Sequence, residues 1–100
     1  MIIRIVRMTI DPEKTGLFRE YFYNSCSKIR DSEGCTHLEL YADAATSNVM
    51  ITFSKWISEE HLNAYRNSQL FQETWALVKP LFIEKPFAFS MKNDVGKQVI

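Results

Sequence analysis

Hydrophobic and polar residues follow two different periods along this chain of 100 residues. Alternation of apolar with polar or small side chains, which is typical of β-strands, recurs in four segments. These segments are residues 2–10, 35–42, 49–56 and 84–92. The polar stretch 43–48 separates the second segment from the third and predicts a hairpin loop between them.

Two segments between the predicted strands have the spacing of three and four residues that marks one face of a helix. The first begins with Asp11 as a suitable N-cap and ends near Asp31. The second begins after Ser58, another capping residue, and ends before Pro80. We expect a break in this second helix at 67–68, where Asn and Ser interrupt the pattern.

The predicted order of elements is strand, helix, strand, strand, helix, strand. This order is typical of the ferredoxin-like α+β fold, in which two helices cover one face of a four-stranded antiparallel sheet. We therefore predict one domain over residues 1–92 and a C-terminal tail over residues 93–100.

Both faces of the predicted sheet carry apolar residues. In the first strand, Ile3 and Ile5 lie across the pleat from Met8 and Ile10, and the third strand is apolar on both sides as well. Two helices cover only one face, and a face exposed to water should be polar. The pattern predicts that the uncovered face is buried against a second copy, giving a homodimer of the dimeric α+β barrel type.

The composition narrows the class of protein. Twelve basic residues balance twelve acidic ones, so the chain lacks the broad positive field that binding to nucleic acid or an anionic membrane needs. The chain opens directly into a strand pattern rather than a signal peptide, which favours a cytoplasmic location. For Cys26 and Cys35 we expect free thiols, with a disulfide as the alternative.

Several motifs in the second half are distinctive. They are a Trp at the end of the third strand, Ser-Glu-Glu at the start of the helix, Ala-Tyr-Arg-Asn-Ser within it, and Lys-Pro-Leu-Phe before the last strand. The segment 56–90 that contains them, together with the opening residues 1–14, resembles the antibiotic biosynthesis monooxygenase family. This resemblance implies a pocket between sheet and helices. It also implies oxidation of phenols or hydroquinones by O2, with no metal, flavin or haem as cofactor.

Three residues are candidates for catalysis. Arg7 is a charge within an apolar strand, costly to bury without an anion, and would hold a substrate oxyanion. His37 would act as a general base, because histidine is the side chain that most often takes up a proton near neutral pH. The resemblance implies that Trp56 is a pocket residue whose indole N–H or ring contacts the substrate. Each also has a structural alternative: a surface charge for Arg7, a surface group for His37 and a core aromatic for Trp56.

Five further residues are candidates for substrate binding, or alternatively for ordinary packing between helix and sheet. They are Thr52, Tyr65, Asn67, Phe71 and Trp75. Thr52 stands where the monooxygenase members of the family carry an Asn. Trp75 stands where the related haem-degrading proteins carry an axial His, and because Trp cannot ligate iron we exclude haem degradation.

Three functions are consistent with this pattern. The first is a cofactor-independent monooxygenase acting on a small phenolic or quinol-type aromatic. The second is a dimeric barrel without catalysis that binds or senses a small hydrophobic molecule. The third is an isomerase or decarboxylase, which needs an acid and a base facing each other across the pocket.

Overall fold

The computed structural model describes residues 1–92, and the predicted tail 93–100 lies outside them. These residues form one antiparallel sheet, with strands β1 (Ile2–Thr9), β2 (Cys35–Ala42), β3 (Val49–Trp56) and β4 (Phe87–Lys92). The order of the strands in the sheet is β2-β3-β1-β4. The helices are α1 (Thr15–Arg30), α2 (Glu59–Arg66) and α3 (Gln69–Val78). The fold is the ferredoxin-like α+β arrangement that the sequence predicts.

The connection from β1 to α1 contains a short 3-10 turn that the sequence pattern does not reveal. Asp11 caps this turn, and its Oδ1 accepts a hydrogen bond of 3.0 Å from the backbone N–H of Glu13. The turn covers Pro12–Lys14, and regular α-helix starts only at Thr15. The predicted cap is therefore correct, while the α-helix begins later than predicted.

The second helical segment is divided into two helices. The hydroxyl of Ser58 accepts a hydrogen bond from the N–H of His61 at 3.2 Å and caps α2. The hydroxyl of Ser68 accepts from the N–H of Phe71 at 3.1 Å and starts α3. The predicted break at 67–68 is thus the boundary between two separately capped helices, because a capping serine at this point begins a new helix.

Gly34 fixes the start of α2 against the sheet. Its φ is +84°, and a Cβ at this position would lie 2.3 Å from Cγ of His61. Glycine satisfies both the left-handed backbone and the close approach of the imidazole. The Gly34 carbonyl also accepts a hydrogen bond of 2.8 Å from the N–H of Ile57. These contacts fix the position of the neighbouring Trp56 at the end of β3.

The two faces of the sheet have different surroundings. Even-numbered residues of β1 and β3 face the helices, and Met8, Met50 and Trp56 among them are buried. We call the other side the open face; on β4 it carries Phe87 and Phe89, which are 60% and 38% exposed. As the sequence predicts, both faces are apolar. Within residues 1–92, none of the helices combines the length and apolar character needed to cross a bilayer.

Candidate functional site

A cavity of about 360 Å³ lies between the helix-covered face of the sheet and the helices. This volume lies within the range of sites for small organic molecules. Aliphatic and aromatic side chains dominate the lining, and apart from the two indoles its polar groups are hydroxyls and guanidiniums. These polar residues are Arg4, Thr52, Ser54, Tyr65, Arg66 and Thr74. Such a lining can surround a planar ring while offering it a few hydrogen bonds.

One side of the cavity is a continuous series of aromatic rings, the aromatic wall, formed by Trp56, Tyr65, Phe71 and Trp75. Trp56 and Tyr65 stack with centroids 4.9 Å apart and planes 24° apart. Tyr65 meets Phe71 edge to face at 5.4 Å, and Phe71 stacks on Trp75 at 5.7 Å. The rings thus form one side of the cavity, and the space beside them is open.

Tyr65 is neutral at physiological pH. Burial raises the pKa of its phenol to about 12, with a smaller contribution from Cys35. Burial acts in this direction because a buried site disfavours the phenolate. The Tyr65 hydroxyl therefore remains a hydrogen-bond donor and is not a base.

Trp56 is 1% exposed and already uses its single donor. Its indole N–H donates a hydrogen bond of 3.0 Å to Oγ of Ser54, which is also buried. The ring of Trp56 therefore contributes a surface to the cavity, while the predicted N–H contact with a substrate oxygen would require breaking this bond. Ser54, which accepts here, keeps its own O–H for donation into the cavity.

Two arginines line the cavity. Arg4 faces the helices from β1, between Ser54 on β3 and Ser90 on β4. Its Nη1 donates a hydrogen bond of 3.1 Å to Oγ of Ser90. Arg66 lines the same cavity from the end of α2. Partial burial, and secondarily the charge of Arg66, lower the pKa of Arg4.

The structure does not bring Arg7 and His37, two of the candidates for catalysis, to the cavity that Trp56 lines. Neither Arg7 nor His37 is among the lining residues. Successive side chains of a strand point to opposite faces, so Arg7 lies across the pleat from Met8, and His37 across it from Leu38. Both therefore lie on the open face, separated from the cavity by the sheet. Arg7 is exposed there.

His37 has its own hydrogen-bonded neighbours on the open face. Its Nε2 contacts one carboxylate oxygen of Glu39, and the hydroxyl of Tyr41 donates to the other. Hydrogen bonds from Tyr41, and then from His37, lower the pKa of Glu39. The same bond with Glu39 raises the pKa of Tyr41. We call these three residues the open-face network.

Asn67 also lies away from the cavity. It is the exposed C-cap of α2, where its Nδ2 donates a hydrogen bond of 2.9 Å to the backbone carbonyl of Asn63. Its position is explained by the helix end. Of the five predicted binding residues, the cavity brings together Thr52, Tyr65, Phe71 and Trp75, and their role in binding stays a prediction.

Sequence reasoning missed Arg4, Ser54 and Arg66 as lining residues. Arg4 has the same parity in β1 as Val6 and Met8, and that alternation was the available signal. Ser54 likewise has the parity of Thr52 and Trp56. For Arg66 no comparable signal exists, because its place depends on where α2 ends.

Residues 1–92 contain no group of three His, Cys, Asp or Glu side chains that converge as metal ligands do. Both Cys26 and Cys35 are free thiols, which confirms the expectation of free thiols over a disulfide. Burial raises the pKa of Cys35.

The fold recurs in solved structures of low sequence identity. A conserved protein from Methanosarcina mazei Go1 superposes with a TM-score of 0.88 at 19% identity, over 94% of each chain. Rv0793 from Mycobacterium tuberculosis gives 0.84 at 20% identity, over 96% of this chain and 98% of that one. A structure of an antibiotic biosynthesis monooxygenase gives 0.87 at 16% identity, over 94% and 99%.

These structural similarities establish the fold, and the sequence itself indicates the family. No curated protein matches the chain. The family model for antibiotic biosynthesis monooxygenase matches residues 1–77, which include β1–β3, α1, α2 and most of α3. This match covers Thr52, Trp56 and the whole aromatic wall. The chain belongs to the antibiotic biosynthesis monooxygenase family.

Proposed function

We propose that this protein is a cofactor-independent monooxygenase that acts with O2 on a small phenolic or quinol-type aromatic. The observation that carries the proposal is the cavity of about 360 Å³ beside the aromatic wall. It has room for a planar ring, stacking surfaces for it, and a few donors at its oxygen atoms. Membership of the monooxygenase family supports the same conclusion.

The proposed reaction takes its electrons from the substrate. A phenolate gives one electron to O2, and the phenoxyl radical and superoxide combine to a hydroperoxide on a ring carbon. That carbon then becomes a carbonyl as the O–O bond breaks and water leaves. One oxygen atom of O2 ends in the quinone and the other in water, which takes the hydrogens of the phenol and of the attacked carbon.

The cavity residues would favour the anions in this sequence. Arg4 and Arg66 bring positive charge to the cavity, which stabilises a phenolate and the superoxide formed from O2. Ser54 and Thr52 supply hydroxyl donors, and Tyr65 supplies a neutral phenol. Apolar walls keep bulk water away from the radical pair. Within residues 1–92 no carboxylate or imidazole lines the cavity, so we assign removal of the phenol proton to water at the cavity mouth.

We also propose that two copies pair through their open faces. Phe87, Phe89 and Met91 are exposed there in the single chain, next to the partly buried Ile5 and Phe53. An apolar surface of this kind gains free energy when it is removed from water. Members of the family are generally dimeric. This pairing leaves the cavity, on the other side of the sheet, available to a ligand.

One observation favours the second candidate function, a barrel that only binds a small aromatic molecule. Among the described residues that line the cavity there is no histidine or carboxylate, so none of them offers a side chain of ordinary basicity to take a proton. The same observation counts against the isomerase or decarboxylase, which needs an acid and base in opposition.

Oxygen uptake with a panel of phenols and hydroquinones in chelator-treated buffer tests the proposal. We expect uptake that exceeds autoxidation and, with ¹⁸O2, one labelled oxygen atom in the quinone. Trp56→Phe should lower turnover, while Arg19→Gln, on the exposed side of α1, should not. Ligands that raise the melting temperature without any oxygen uptake would establish the binding protein instead.

A further inference from the structure

In the part of the chain that the structure describes, two positive charges line the cavity and no negative one does. Arg4 and Arg66 both line it, and the remaining lining residues described by the structure include no Asp, Glu or His. Arg4 has only the neutral hydroxyl of Ser90 as a side-chain partner within residues 1–92. Neither arginine forms a salt bridge with a carboxylate of the described chain.

This arrangement is unfavourable in the empty protein. Like charges near each other repel, and partial burial adds a desolvation cost. Both effects act on Arg4, whose pKa is lowered by burial and then by the charge of Arg66. An anion in the cavity would relieve both, because it supplies the missing counter-charge and replaces lost hydrogen bonds. A planar oxyanion matches guanidinium geometry particularly well, since it accepts two parallel hydrogen bonds.

We infer that the ligand of this cavity is an anionic aromatic, with a carboxylate held by Arg4 and Arg66 and its ring against the aromatic wall. This inference rests on the proposed function and narrows its substrate class to phenols or hydroquinones that carry an acid group. Two guanidiniums then balance two negative charges, the carboxylate and the reacting phenolate. A neutral phenol would leave one of the two cations without a partner.

Binding of matched acids and esters tests the inference. The probes are 2,5-dihydroxybenzoate, 4-hydroxybenzoate and a hydroxynaphthoate, each beside its own methyl ester, titrated calorimetrically without oxygen. The ester keeps the ring and its hydroxyls and loses the charge. We expect at least one acid to bind about 10-fold or more tightly than its ester, with a preference that weakens as salt rises.

The arginine variants show where the preference arises. Arg4→Gln and Arg66→Gln should each reduce the preference for the acid to below about threefold, and Arg4→Lys should retain part of it, because lysine keeps the charge and loses the fork. Arg19→Gln, an equal change of charge at an exposed position of α1, should leave the preference intact. If Arg4→Gln does not fold, the exposed Arg66 still tests the site. No preference for any acid, or a preference that survives in both glutamine variants, would overturn the inference.

Oxygen uptake separates this inference from the function on which it rests. Selective binding of an acid that produces no uptake supports the anion site and contradicts the oxygenase. Equal binding and equal turnover of acid and ester support the oxygenase and contradict the anion site.

Discussion

The helix-covered face and the open face of the sheet are both apolar at their centres, but their charged residues have different surroundings. Arg4 and Arg7 lie three positions apart in β1. Arg4 lines a cavity beside a second arginine, while Arg7 is exposed on the other side. On a sheet that is apolar on both sides, the location of the helices therefore decides which charged side chain lines the cavity and can contact a ligand there.

The histidine, acid and tyrosine of the open face illustrate the same point. His37, Glu39 and Tyr41 hydrogen-bond to one another within the open-face network. They have the residue types of a catalytic group, but the sheet separates them from the cavity. Residue type alone therefore identifies a candidate for chemistry, and its face on the strand decides whether it can reach a substrate.

The largest effect is expected for a charge at the centre of the open face. Ile5 lies opposite Phe53 on β3 and Phe89 on β4. Ile5→Asp would bury two unpaired carboxylates, one from each copy, and should raise the dimer dissociation constant at least about 10,000-fold. Sedimentation velocity measures this change. Leu77→Asp, on an exposed position of α3, is the control and should leave the dimer unchanged.

This prediction can fail in two ways. An Ile5→Asp protein that sediments as a dimer would show that the open face is not the contact surface. A folded wild-type protein that remains a single subunit at micromolar concentration would contradict the proposed dimer.

Next in size is the effect of truncating the aromatic wall. Trp56 is 1% exposed and stacks on Tyr65. Trp56→Ala should lower the free energy of unfolding by about 3–5 kcal/mol, because it enlarges the cavity and leaves Ser54 without its donor. Tyr23→Ala, at a position that is 61% exposed on α1, should cost below about 1 kcal/mol. Urea unfolding monitored by circular dichroism compares the two variants. An equal loss of unfolding free energy in both would contradict the packing assigned to Trp56.

A third comparison uses the two arginines of β1. Arg4→Gln should lower kcat/KM for a phenolic substrate about 100-fold, the scale seen when one group that stabilises a developing anion is lost. Arg7→Gln should lower it by less than about threefold. Steady-state oxygen uptake measures both. The opposite order would restore the sequence-based assignment of Arg7 and contradict the site described above.

The smallest effect concerns two tyrosines, one from each face. Burial raises the pKa of Tyr65 to about 12 from an ordinary value of 10.0. The folded state therefore holds the Tyr65 proton more tightly than the unfolded state does. The resulting contribution to the free energy of unfolding is complete below pH 10. It is lost as pH rises from 10 towards 12, by up to about 2 kcal/mol. Tyr65→Phe should remove this alkaline loss of stability.

The tyrosine of the open face provides the matched control. The pKa of Tyr41 is raised first by its hydrogen bond to Glu39. Glu39→Gln should therefore lower the pKa of Tyr41 and leave that of Tyr65 unchanged. Ultraviolet titration of tyrosinate in the two single variants distinguishes them. A shift of the Tyr65 titration in Glu39→Gln would contradict the separation of the two faces.

Much of the fold follows from local patterns in the sequence. Alternating strands, the caps at Asp11 and Ser58, the break at 67–68 and the order of elements predict the sheet and the helix boundaries within a few residues. These features are local because each depends on neighbours one to four positions away. The observed start of α1 at Thr15 differs from the predicted start after Asp11, because a 3-10 turn and an α-helix share the same capping residue types.

The site is less predictable because it depends on contacts between distant elements. Alternation assigns Arg4 and Arg7 to opposite faces, but apolar residues on both faces conceal which one the helices cover. The open cavity depends on Trp56 stacking on Tyr65 rather than entering the space, and no residue pattern encodes that choice. The bond from Trp56 to Ser54 likewise appears only once side chains are placed.

The central claim is that the ligand binds on the helix-covered face, and the two tryptophans test it most directly. The chain contains two Trp residues, and both Trp56 and Trp75 line the cavity. Proton–nitrogen NMR of the indole N–H groups during titration with 2,5-dihydroxybenzoate should show both signals moving to saturation, while the amides of the open-face network stay nearly fixed. Unmoved indole signals, with saturable shifts at His37, Glu39 and Tyr41, would place the ligand on the other face and contradict the account.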